Sequence, residues 1–317
     1  MGNKTLFNVD KLKMSYLQPN GLFESIAKHV TGDDIRYQDF YLKVVDDGRN
    51  PKNPEKPQTH ITALAITSDG ELMGQLTLHC SDEFERRAFF EFDNRFLYSG
   101  NANRQNNEPY WDYAAERLGL ELSTITQIDI ACDTTKNMIT RVRRLVRDWE
   151  HYDMILNGKK IIDENEIIDD YNLNFGTSRV RMSRTPTLYY RQANDDGLKE
   201  RIYNKSDEIR HKKNAKKYIE VWDDMGEGKT IYRAEVQICW KMLKKWFEWL
   251  SDPDAAHQYT EWARRENEDW SHYIQRTRLL MGMAEYRAAL WVWASSKLVY
   301  WRSKSDGERI DQADLID

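Results

Sequence analysis

Arg201-Ile202-Tyr203-Asn204-Lys205-Ser206-Asp207-Glu208 sets a tyrosine between two cations at two-residue spacing. In a strand, alternate side chains share a face, so Arg201, Tyr203 and Lys205 are predicted to point one way and Ile202 and Asn204 the other. Three further stretches have the same period. In Ala88-Phe89-Phe90-Glu91-Phe92-Asp93, Glu91 and Asp93 share a face with Phe89, and Phe90 and Phe92 take the opposite one. In Gln127-Ile128-Asp129-Ile130-Ala131-Cys132-Asp133, the two aspartates line up with Ala131, while Ile128, Ile130 and Cys132 form an apolar face. In Tyr232-Arg233-Ala234-Glu235-Val236-Gln237-Ile238, Arg233, Glu235 and Gln237 oppose Tyr232, Ala234, Val236 and Ile238. As neighbours in one sheet, these strands would gather carboxylates, guanidinium groups, an ammonium and a phenol on one face.

The rest of the chain supplies a frame for such a sheet. Leu12–Leu17 reads as a strand, with a helix from about Gly21 to His29, and Gln38–Val45, Ile61–Thr67 and Leu72–His79 as further strands, the last two joined by the turn sequence Ser68-Asp69-Gly70. Pro51, Pro54 and Pro57 mark a loop. Tyr110–Leu118 reads as a helix closed by Gly119, and Asn137–His151 as another, with Val142, Leu145, Val146 and Trp149 at helical spacing. Thr187–Arg191 and a turn at Asn194–Gly197 lead into the Tyr203 strand. After Cys239 the composition shifts: Trp240 to Trp301 carries eight of the eleven tryptophans, several at helical offsets, which reads as packed helices with tryptophan in a core or interface. The fold expected is therefore α+β: an antiparallel-sheet domain over residues 1–240 with helices on one face, then a helical region over 241–317 for DNA binding or dimerisation.

At 317 residues the chain can bury a sizeable core. No run of about eighteen apolar residues occurs, so a membrane span is not expected. The first ten residues lack a signal-peptide pattern, and Cys80, Cys132 and Cys239 are odd in number and far apart; both point to a cytoplasmic protein with reduced thiols. The net charge of −5 is unlike a protein that coats DNA non-specifically. Local basic patches nevertheless stand out: Arg143, Arg144 and Arg147; Arg179, Arg181 and Arg184; and Lys212, Lys213, Lys216 and Lys217. Each reads either as a solvated face or as a contact to DNA phosphates.

Carboxylates on adjacent strands repel unless a cation sits among them. Hard oxygen ligands suit Mg2+ or Mn2+, with Glu91, Asp129 and Glu235 as candidates and Asp133 behind them. Salt bridges to Arg233 or Lys205 would neutralise the same acids without a metal, and spacing alone does not choose. A phenol has an ordinary pKa of about 10, so a nucleophilic tyrosine needs help, which Arg201 and Lys205 are placed to give to a phenolate and to a phosphorane-like transition state. Gly228-Lys229-Thr230 imitates the end of a phosphate-binding loop, but Asp223 stands where its first glycine is required.

Arg201-Ile202-Tyr203-Asn204-Lys205 through Glu208, with Tyr190 thirteen residues before the tyrosine, resembles the nicking motif of rolling-circle plasmid replication initiators of the Rep_trans type. The Asp129, Glu91 and Glu235 segments are similar to three more segments of that family, in the same order. The resemblance implies a nickase whose Tyr203 attacks one strand at a plasmid origin, becomes joined to the 5′ phosphate and leaves a 3′ hydroxyl as primer. It further implies a divalent cation held by Asp129 and Glu91 with Glu235 as third ligand, Arg201 and Lys205 as phosphate partners, a homodimer, and a host replicative helicase as partner. Glu208 belongs to the motif without an evident role. Arg191-Gln192-Ala193-Asn194 departs from the glycine-containing turn usual in the family. Two other classes stay open: an origin-binding copy-control protein that does not cut, and a metal-dependent nuclease that uses water.

Overall fold

A computed structural model describes residues 5–50, 52–53, 55–80, 86–98, 110–161, 187–191, 197–211, 225, 228–252, 254, 257–263, 265 and 267–316. In chain order the strands are β1 (Thr5–Leu17), β2 (Asp34–Arg36), β3 (Phe40–Asp46), β4 (His60–Thr67), β5 (Leu72–His79), β6 (Arg87–Phe92), β7 (Glu121–Thr134), β8 (Tyr152–Leu156), β9 (Lys159–Lys160), β10 (Thr187–Arg191), β11 (Lys199–Asn204), β12 (Tyr232–Cys239), β13 (Val299–Ser303) and β14 (Arg309–Ile310). The helices used below are α1 (Leu22–Ile26), α2 (Tyr110–Arg117), α3 (Met138–Arg147), α4 (Lys205–His211), α5 (Trp240–Leu250), α6 (Trp270–Leu280) and α7 (Ala284–Leu298). The protein is α+β, built on a large antiparallel sheet with helices concentrated in its C-terminal part. Among the described residues no helix is long and apolar enough to cross a membrane.

The chain divides into two compact units, one formed by residues 1–10, 129–264 and 283–317, the other by 11–128 and 265–282. The boundary expected near residue 240 falls inside the first of these.

In the unit formed by 11–128 and 265–282, the sheet runs β7-β1-β6-β5-β4-β3-β2. Its two-residue period is carried by Phe90 and Phe92, which turn into the core as expected, with Trp111 of α2 stacked flat on Phe90 at 3.4 Å. Gly74 faces Phe92 across the ladder, and a Cβ there would sit 2.4 Å from the Glu91 carbonyl oxygen, so this close approach of strands requires glycine. The first strand is longer than its apolar run. It begins at Thr5 and takes in Asn8 and Asp10, polar residues buried at two-residue spacing.

In the other unit the sheet runs β10-β11-β12-β7-β1. Helix α3 buries Met138, Ile139, Val142 and Val146 and packs against β11 and β12, as does α7. It ends at Arg147, four residues before the expected His151, where Asp148 leaves helical geometry. The tryptophan-rich region is a core: Trp246, Trp291 and Trp301 are completely buried, and the Trp291 Nε1 donates to the Ala234 carbonyl at 3.1 Å. This region is not all helix. β13 and β14 join β8 and β9 in a second, four-stranded sheet that short, aperiodic segments did not announce in the sequence.

Candidate active site

Strands β11 and β12 pair in antiparallel register, with Arg201 opposite Glu235 and Tyr203 opposite Arg233. Directly opposite residues share a face, so the predicted polar face is present here: Arg201, Tyr203, Arg233 and Glu235 stand together while Ile202, Ala234 and Val236 are buried in the core. The strand stops at Asn204, whose side-chain oxygen accepts from the Asp207 backbone N–H at 3.1 Å and so caps α4. Lys205 is therefore the first residue of a helix and not a strand residue. Its ammonium still returns to the tyrosine.

The Tyr203 hydroxyl donates to Glu235 Oε2 at 3.1 Å and accepts from Lys205 Nζ at 3.3 Å. Arg201 Nη2 holds the other Glu235 oxygen at 2.6 Å. Arg201 and Lys205 also lie against the ring, each 5.3 Å from its centroid. Glu208, whose role the motif left blank, is the counter-ion of Lys205 at 2.5 Å, one helical turn on. Tyr203 is only 5% exposed, and burial is the largest cause pushing its pKa well above that of a free phenol. Arg233 and Arg201 pull it down, while Glu235 and Asp10 push it up further. The raised pKa favours the protonated phenol, whose O–H points to Glu235.

Beside this group, the completely buried Arg233 binds Asp133 through Nε and Nη2 at 2.7 and 2.8 Å and Asp10 through Nη1. Asp10 is a site residue that sequence reading missed. Its signal was the polar alternation of Asn8 and Asp10 beside the apolar Phe7 and Val9. Asp129 is buried on the same strand as Asp133. Glu91 belongs to the other unit, where Lys11 at 2.7 Å and Lys13 at 2.5 Å hold its carboxylate. Burial raises the Glu91 pKa, but the two lysines outweigh it and the net shift is downward.

Of the two readings of the acids, ion pairing describes Asp133, Glu235 and Glu91. Both oxygens of each carboxylate are committed to cationic or phenolic side chains, and among the described residues no three His, Cys, Asp or Glu side chains gather as ligands would.

Arg143 is half-buried and Arg144 and Arg147 exposed on α3. Tyr190 lies on β10 opposite Glu200, without a described side chain. Arg179, Arg181, Arg184, Lys212, Lys213, Lys216 and Lys217 lie outside the described residues.

No protein-family model matches the chain, and no curated protein matches it. Among solved structures, the crystal structure of DynU16, from the dynemicin biosynthetic locus, is similar at 10% identity over 88% of this chain and 99% of that one, with a TM-score of 0.22.

Proposed function

We propose that the protein is a rolling-circle replication initiator that nicks and rejoins single-stranded origin DNA through a phosphotyrosine at Tyr203. The observation that supports this reading is the placing of the Tyr203 hydroxyl between a carboxylate that can take its proton and an ammonium that can meet a phosphate. In the proposed step the Tyr203 oxygen forms a bond to phosphorus and its proton passes to Glu235. The bond from phosphorus to the 3′ oxygen breaks, and that oxygen takes up a proton from water. Arg201 and Lys205 oppose the charge that accumulates on the phosphoryl oxygens. Rejoining is the reverse step, with a 3′ hydroxyl as the nucleophile.

Because Tyr203 is buried, the strand must displace a covering side chain, and Arg201, 40% exposed, is the most accessible of those around it. The proposal extends to Mg2+ or Mn2+ as a requirement of the reaction. Asp129, Asp133 and Glu235 are the residues that would hold the ion, which would polarise the scissile phosphate. It extends also to a cytoplasmic homodimer acting on plasmid-origin DNA with a host replicative helicase, and to Arg143, Arg144 and Arg147 as phosphate contacts.

The test is a labelled set of single-stranded oligonucleotides tiling the DNA beside the gene, incubated with the protein and Mn2+ and resolved under denaturing conditions. A covalent protein–DNA adduct that Tyr203→Phe abolishes is expected. Cleavage without an adduct would assign the reaction to water. The 5% exposure of Tyr203 favours one other reading, an origin-binding protein that does not cut, for which binding without cleavage is the signature.

A further inference from the structure

Strand β7 leaves the sheet just after Asp133, β12 enters it just before Arg233, and β11 leaves it at Asn204. The Asp133–Arg233 ion pair and the pairing of Tyr203 with Arg233 bring these three points to one end of the sheet. Just beyond the strands at that end stand two lysines, Lys205 at the start of α4 and Lys136 in the turn between β7 and α3. With neighbouring strands about 4.8 Å apart, β7 and β11 are separated by about 10 Å across β12.

Both lysines are almost completely buried, Lys136 at 8% exposure and Lys205 at 1%. Lys205 has Glu208 as its counter-ion, Arg201 has Glu235, and Arg233 has Asp133 and Asp10. The Lys136 side chain makes no hydrogen bond or ion pair among the described residues. Its backbone is nevertheless fixed. The Lys136 N–H donates to Thr134 Oγ1 at 3.2 Å, its carbonyl accepts from the Met138 N–H at 2.9 Å, and Asn137 caps α3 by accepting from the Thr140 N–H at 3.0 Å. A cation held in a mostly buried place without a counter-ion is costly, and an anion that reaches it offsets that cost. The ammonium is not one of the sealed polar atoms of the described residues, so the surface that Lys136 keeps gives an anion access to it.

We infer that Lys136 holds a phosphate of the single strand on which Tyr203 acts, adjoining the phosphate that Lys205 meets. An ammonium is a point charge, suited to one phosphate and indifferent to the bases beside it. Lys205 is turned to the Tyr203 hydroxyl, whereas Lys136 stands two strands away at the same sheet end, so it binds and positions the strand without touching the reacting atoms. The inference rests on the nicking reading for its ligand, single-stranded DNA.

The test uses the full chain and a fluorescent twelve-nucleotide oligo-dT, read by anisotropy over a range of salt. Lys136→Met keeps an unbranched side chain in the buried place and removes the charge. Affinity should fall, and the slope of log K against log salt should drop by about 0.7, the share of one phosphate on a single strand. Lys136→Arg should restore the slope. On an origin oligonucleotide that is cut, neutral methylphosphonates placed one at a time should reveal one position beside the scissile phosphate where the unaltered protein loses affinity and Lys136→Met does not. At saturating DNA, adduct formation by Lys136→Met should stay within about twofold of the unaltered rate, as expected when a group binds ground state and transition state alike. An unchanged salt slope overturns the inference, and so does a methylphosphonate scan that is the same in both proteins, because a structural role lowers affinity without either signature. Binding of oligo-dT requires no cutting. A reduced slope with no Tyr203 adduct would therefore retire the nicking reading and keep this site, and an adduct with an unchanged slope would do the reverse.

Discussion

The Arg233 guanidinium grips the Asp133 carboxylate with two hydrogen bonds of 2.7 and 2.8 Å, and neither residue has any exposed surface. Two charges removed from water are tolerable only when each satisfies the other, and here Asp10 completes the set. The arrangement ties β12 to β7 and to β1 behind the tyrosine. It fixes the strand that carries Glu235.

Arg233→Met should therefore destabilise the protein by about 3–5 kcal/mol, because it strands Asp133 and Asp10 as buried, uncompensated anions. Urea unfolding reads this as a lower midpoint at constant slope. Removing Asp133 as well, in Arg233→Met/Asp133→Leu, should recover part of the loss, since an apolar pair replaces an ionic one. A single-variant loss below about 1 kcal/mol would show that water reaches the acids.

Glu235→Gln preserves a hydrogen-bond acceptor for the phenol but removes the base. The single-turnover rate of adduct formation should fall about 10²- to 10⁴-fold, the range for loss of a positioned general base. Oligonucleotide affinity should stay within about twofold, because Glu235 is buried and already paired with Arg201. An unchanged rate would assign the proton to another acceptor.

How much of this was legible follows from distance along the chain. The alternation in 201–205 and 232–238 carries the shared face because β11 and β12 pair in register, and burial of Ile202, Ala234 and Val236 admits only one orientation of each strand. The cap at Asn204 was hidden by that same alternation. Lys205 fits the strand period, yet Asn204 and Asp207 start a helix there. Asp10 and Arg233 are 223 residues apart and Glu200 and Gln312 are 112 apart, and no local pattern specifies such partners. Glu91 shows the converse. Its period was read correctly, but Lys11 and Lys13 on the neighbouring strand answer its charge.

Glu200 should make stability depend on pH. Its side chain is fully buried, Oε2 accepts from Gln312 Nε2, and both Glu200 Oε1 and Gln312 Oε1 lack a partner when the acid is ionised. A protonated carboxyl supplies the O–H that Gln312 Oε1 can accept. Burial pushes the Glu200 pKa up to about 8 from an ordinary 4.5, with the Gln312 hydrogen bond opposing. The folded state then binds the proton more tightly, so this contribution is complete below about pH 4.5 and is lost as pH rises through about 8. Each unit of pKa difference is about 1.4 kcal/mol, which makes the total a few kcal/mol. Glu200→Gln should flatten the decline in Tm between pH 5 and 8, and an equal slope in both proteins would refute the assignment.

Glu208 pairs with Lys205, whose ammonium reaches the phenol, and so is a candidate positioning residue. The ammonium is 2.5 Å from Glu208 and 3.3 Å from the Tyr203 oxygen, and the Lys205 side chain is 2% exposed while that of Glu208 is 22% exposed. An incoming phosphate would compete with Glu208 for that ammonium. Glu208→Gln weakens the existing partner without emptying the space, so Lys205 should turn more readily toward phosphate but be held less firmly against the phenol. The expected result is DNA affinity unchanged or slightly raised, with the rate of adduct formation down by about tenfold, equivalent to about 1.4 kcal/mol in the barrier. Lys205→Met should lower both rate and affinity, because it removes the phosphate partner itself. If Glu208→Gln instead lowers affinity and rate in parallel, Glu208 shapes the DNA-binding surface and does not hold Lys205 in place.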